Sequence, residues 1–78
     1  MKIIHKRYVS FRETADGWDC YIKRPHGEYG MKVFLGQISE GYFKIEAERI
    51  REHFTLGIYI SELKEIVEFM EERRESWK

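Results

Sequence analysis

The sequence predicts an α+β fold: an antiparallel β-sheet of four to five strands, arranged as a meander and packed against one C-terminal amphipathic α-helix. Three observations predict it. Apolar residues recur at three- and four-residue spacing over the C-terminal stretch, the first half alternates with period two, and the glycines fall singly between the alternating runs.

The 78 residues make a single domain (1–78), since a chain this short builds one small core. Residues 3–13 are rich in β-branched and aromatic types and read as a strand. From Arg7 onward, Arg7, Val9 and Phe11 fall on one face and Tyr8, Ser10 and Arg12 on the other. Thr14-Ala15-Asp16-Gly17 supplies a tight turn, Asp-Gly being a favoured hairpin pair. Residues 18–23 then return antiparallel, with Trp18, Cys20 and Ile22 against Asp19, Tyr21 and Lys23.

Pro25, Gly27 and Gly30 mark residues 24–30 as a loop with a basic, aromatic-bearing tip. Residues 31–38 and 42–47 form two more strands around the turn Ser39-Glu40-Gly41. Residues 46–54 stay open between strand, loop and a short helix, the last favoured by the spacing of Ala47, Ile50 and Phe54. After an extended or strand-like Ile58-Tyr59-Ile60, Ser61 is the expected N-cap of a helix over residues 61–74. Ile60, Leu63, Ile66, Val67 and Met70 are expected to face the sheet, with Glu62, Glu65, Glu68, Glu72 and Glu75 facing water. Arg73, Arg74 and Lys78 complement the helix C-terminus, and Trp77 is placed to pack on the sheet or on a partner.

Composition excludes several functions. A formal charge of zero argues against a strong duplex-DNA binder and against an acidic DNA mimic. Charge is nevertheless polarised: residues 1–36 carry seven Lys/Arg and four acids, a balance of 7 − 4 = +3, which leaves −3 for the rest. The lone Cys20 forms no intramolecular disulfide, and its place beside Trp18 and Ile22 suggests a buried, inert thiol in a reducing, cytoplasmic setting. No leader or membrane span is expected. His5, His26 and His53 lack metal-ligand spacing, no glycines cluster as a phosphate loop, and the acids fall mostly on the helix exterior. The expectation is a protein with no cofactor, no metal and no enzymatic activity.

The best-supported chemistry is single-stranded nucleic-acid binding, which takes aromatic faces for the bases and cations for the backbone. Lys6, Tyr8, Ser10 and Arg12 stand opposite the apolar face of the first strand, and Tyr21, Lys23 and Arg24 of the second join them in one basic aromatic patch if both sets point the same way. Tyr and Lys are also ordinary occupants of a solvated sheet face. The stretch Lys6-Arg7-Tyr8-Val9-Ser10-Phe11-Arg12-Glu13, together with Gly57-Ile58-Tyr59-Ile60-Ser61 leading into the helix, resembles the first strand and the last strand-helix join of the "positive cofactor four" family of transcriptional coactivators. The resemblance implies a curved four-stranded sheet followed by a helix, a homodimer through the helices, and basic and aromatic sheet residues that hold melted DNA. It transfers to Arg7, Tyr8 and Arg12 alone. The chain departs from the family over residues 39–54, which are longer, and in its acidic content.

The rival class is a protein-interaction module, such as a small phage or mobile-element protein that inhibits a host enzyme, including a CRISPR effector. It would use the acidic helix exterior or the aromatics Tyr29, Tyr42 and Tyr59. A homodimer through Phe69, Met70 and Trp77 is a third possibility.

Overall fold

The computed structural model describes residues 1–23, 32–46 and 57–77. Five strands form one antiparallel sheet in chain order: β1 (Ile3–His5), β2 (Val9–Glu13), β3 (Trp18–Lys23), β4 (Lys32–Ser39) and β5 (Tyr42–Ile45). One helix, α1 (Ile60–Glu72), follows and ends in a 3-10 turn, Arg74–Trp77. The meander and its single closing helix are the fold class that the sequence predicts. The expected loop over 24–30, most of the ambiguous stretch 46–54 and the packing of Trp77 lie outside what is described.

Alternation sorts each strand into two faces. Val9 and Phe11 of β2, Trp18, Cys20 and Ile22 of β3, and Leu35 and Ile38 of β4 are buried beneath Ile66 and Phe69 of α1. Phe69 is the centre of this layer. Its ring stacks on Phe11 with centroids 3.7 Å apart and meets Trp18 edge-on at 5.1 Å. The Arg73 guanidinium covers its other side, 3.8 Å from the ring centroid. Burying one aromatic ring of this size is worth about 2–3 kcal/mol, a large share of what so small a core supplies.

The helix is rolled relative to its expected orientation. Ile66 and Phe69 are buried, Met70 packs at their margin, and Ile60, Leu63 and Val67 are exposed. Leucine spacing alone favours the row through Leu63 and Val67. The larger Phe69 decides the contact, because it fills the space over Phe11 and Trp18. The roll also removes Glu62 and Glu65 from the water side. Glu62 is only 3% exposed and accepts the Tyr59 backbone N–H at 2.8 Å. Tyr59, rather than Ser61, is therefore the N-cap, and α1 starts at Ile60. Of the two expectations for Ile58-Tyr59-Ile60, the extended lead-in holds at Tyr59 (φ −76°, ψ 152°), and no strand forms there.

Glu65 explains a second departure. The expected strand over 3–13 is split into β1 and β2, which pair with each other through Ile3↔Arg12, Ile4↔Phe11 and His5↔Ser10. At the turn between them, the Glu65 carboxylate accepts three successive backbone N–H groups, from Arg7 (3.2 Å), Tyr8 (2.7 Å) and Val9 (3.1 Å). Lys6 N–H closes the turn onto the Val9 carbonyl at 2.9 Å. Arg7 consequently belongs to an exposed turn and not to the face of Val9 and Phe11.

Two outcomes check these assignments. Glu65→Ala leaves three backbone donors without their carboxylate and is expected to cost about 2–3 kcal/mol in urea unfolding, against under about 0.5 kcal/mol for the exposed Glu68→Ala; equal costs would contradict the clamp. Cys20 is fully buried, and desolvation pushes its thiol from the ordinary 9.0 up to about 12. Above about pH 9 the unfolded chain therefore loses a proton that the folded chain keeps, so stability falls as pH rises. Cys20→Ala is expected to flatten that loss between about pH 8 and about pH 10, as read from urea midpoints at each pH.

Candidate nucleic-acid interface

Because α1 covers one face of the sheet, the residues of the opposite face are set by register. One row crosses all five strands: Ile3, Arg12, Asp19, Gln37 and Lys44 are successive pairing partners. The next row runs His5, Ser10, Tyr21 and Phe34. Beyond it, the Lys23 N–H donates to the Tyr8 carbonyl at 2.9 Å, and Lys23 is paired with Lys32. Among the described residues, the face opposite α1 thus has Tyr21 and Phe34 between the row of Arg12 and Lys44 and the position of Lys23.

The aromatic middle depends on one irregularity. Cys20 pairs with Gly36, but the next residue, Tyr21, pairs with Phe34, so the register skips Leu35. Without this bulge, strict alternation from Gly36 would turn Leu35 toward Tyr21 and Phe34 toward the helix. With it, Leu35 joins the core at 1% exposure, and Phe34 meets the Tyr21 ring edge-on at 5.4 Å. Gly36 is required here, because an added Cβ would run into the Lys44 carbonyl oxygen of the adjacent strand. Phe34 has no place in the sequence-predicted set. The signal that points to it is the glycine in the interior of a strand pattern, which marks a bulge or a close backbone approach.

The predicted residues divide. Ser10, Arg12 and Tyr21 share this face by register, with Ser10 buried at 1% exposure. Lys6 is drawn to the helix side, its Nζ 3.8 Å from Glu72 Oε1. Lys23 Nζ donates to the Lys6 carbonyl, which ties it to the β1–β2 turn. Arg7 and Tyr8 sit together at that turn, the guanidinium 5.3 Å from the ring centroid. Arg24 lies outside the described residues.

Arg12 is not an uncompensated cation. Its Nη2 donates to Asp19 Oδ2 at 2.8 Å, and this hydrogen bond raises the guanidinium's affinity for its proton above the ordinary value. Gln37 Nε2 donates to the other oxygen, Oδ1, at 3.3 Å. Asp19 is 6% exposed, and a carboxylate so placed needs both partners. The result is a guanidinium-carboxylate-amide array fixed across β2, β3 and β4. Sequence alternation placed Asp19 on this face but did not reveal that it holds Arg12.

Elsewhere on the described surface the chemistry is sparse. Among the described residues, no group of three or more His, Cys, Asp or Glu side chains is arranged to hold a metal ion. No described helix is long and apolar enough to cross a membrane. On the exposed side of α1, Ile60, Leu63 and Val67 line a shallow groove with Lys64 and Glu68. No protein-family model, curated protein or solved structure matches the chain.

Proposed function

We propose that this chain is a non-enzymatic binding domain that holds single-stranded nucleic acid on the face of its sheet opposite α1. The observation that carries the proposal is the Tyr21–Phe34 pair, brought together by the bulge at Leu35 and set between Lys23 and the Arg12 row. A half-buried ring on a sheet, here that of Tyr21 packed against Phe34, offers a face to an unstacked base, and flanking cations follow the phosphates. Arg7 and Tyr8, exposed at the end of the same sheet, extend the track. Lys6 contributes little, since its ammonium is turned toward Glu72. The likeness of two segments to the coactivator family has no matching family model behind it, so the proposal rests on the sheet's own geometry.

A chain of zero formal charge, with Lys6, Arg12 and Lys23 each already engaged, suits single strands better than duplex. Stacking supplies sequence-tolerant affinity, and a modest number of phosphate contacts supplies a modest salt dependence.

The exposed apolar row of α1 supports a second reading, in which a protein partner or a second copy of this chain docks on Ile60, Leu63 and Val67. Phe69, expected at such an interface, is fully buried in the core and is excluded from it. The two readings use opposite sides of the molecule and are separable by mutation.

The test is fluorescence anisotropy with a labelled single-stranded oligonucleotide at low salt. Tyr21→Ala is expected to weaken binding about tenfold, within the range for loss of one stacking ring. Leu63→Ala, on the far side, is expected to leave it unchanged. Absence of any anisotropy change with the unmodified protein would sink the nucleic-acid reading; loss of self-association or partner capture in Leu63→Ala alone would favour the second.

A further inference from the structure

The fixed polar array beside the aromatic pair has the chemistry of a base reader. We infer that, on the nucleic-acid reading above, Arg12 and Gln37 select guanine over the other bases, with Asp19 as the residue that positions both.

Reach comes first. Tyr21 and Asp19 are two residues apart on β3 and share its outer face, so they are separated by about 6.8 Å along the strand. A base stacked over the Tyr21 ring therefore has its edge one hydrogen bond short of the Asp19 row. That row presents Arg12 on one side of the carboxylate and Gln37 on the other.

Polarity comes next. The carboxylate only accepts hydrogen bonds, and its two oxygens are engaged by Arg12 Nη2 and Gln37 Nε2. This settles which way the Gln37 amide points. Its Nε2 is committed inward, and its Oε1 has no donor among the described residues. The remaining guanidinium N–H groups of Arg12 likewise have no acceptor among the described residues. The array therefore offers a donor fork and an acceptor to either side of Asp19, and neither can reverse its role while the carboxylate holds them.

Each base can be set against that pattern. Guanine presents the acceptors N7 and O6 to the fork, the pairing that arginine makes best, and its N1–H beside O6 to Gln37 Oε1. Adenine would bring its N6 amino group against the guanidinium and its N1 lone pair against the amide oxygen. Cytosine repeats both conflicts with N4 and N3. Thymine and uracil fit in part, with O4 for one donor and N3–H for the oxygen, but have no second acceptor for the fork.

The experiment compares labelled adenine oligonucleotides of about ten nucleotides in which one central base is guanine, hypoxanthine, 7-deazaguanine or cytosine. Guanine is expected to bind about tenfold tighter than cytosine or the all-adenine strand. Hypoxanthine, which keeps O6, N7 and N1–H, should match guanine, and 7-deazaguanine, which lacks N7, should fall most of the way to adenine. In Arg12→Lys and Gln37→Ala, the guanine-to-cytosine ratio should drop toward one, whatever happens to affinity as a whole. Equal binding of all the strands by the unmodified protein would overturn the selectivity while leaving nucleic-acid binding intact. Failure to bind any of them would remove the reading beneath it. The base-analogue series uses one protein throughout, so it does not depend on whether a variant folds.

Discussion

Everything about the two sides of this molecule follows from where one phenylalanine sits. Phe69 lies flat on Phe11, edge-on to Trp18 and beneath the Arg73 guanidinium. That stack places α1 over β2 and β3 and fixes its roll. With α1 on one face, the proposed binding surface is made of outward-facing residues of the strands, Arg12, Tyr21, Phe34 and Gln37 among them. The roll has a second consequence, because it carries Ile60, Leu63 and Val67 away from the sheet and brings Glu62 and Glu65 toward it.

Those two acids serve the fold in complementary ways. Glu62 caps the start of α1 through the Tyr59 N–H, where the positive end of the helix dipole favours a carboxylate. Glu65 reaches across to the β1–β2 turn and satisfies three N–H groups that strand pairing leaves over. A helix expected to keep its acids for solvent instead uses two of them as joints. The exterior available to a protein partner is correspondingly less acidic than composition suggests, and more apolar.

The fold class was legible because it rests on period: residues 9–13 and 18–23 alternate cleanly, and the helix repeat is plain. What escaped was anything that depends on two segments meeting. Nothing in the neighbourhood of Phe69 says that its stripe outcompetes the other, since Leu63–Val67 and Ile66–Phe69 are each at helical spacing. Nothing near Arg7 says that an acid some fifty-eight positions away interrupts the strand there. The proposed binding face was half legible. Alternation puts Arg12 and Tyr21 each opposite the apolar residues of its own strand, but the bulge that delivers Phe34 and the carboxylate that pins Arg12 are products of register, for which Gly36 is the local sign.

The central proposal is that the sheet face opposite α1, and not the helix, meets nucleic acid. Titrating an isotope-labelled protein with a single-stranded oligonucleotide and following backbone amide shifts by NMR tests it most directly. The account predicts dose-dependent shifts concentrated on Arg12, Tyr21, Phe34 and Gln37, with Leu63, Val67 and Glu68 of α1 unmoved. Shifts gathered on the exposed row of the helix, with the sheet silent, would contradict it.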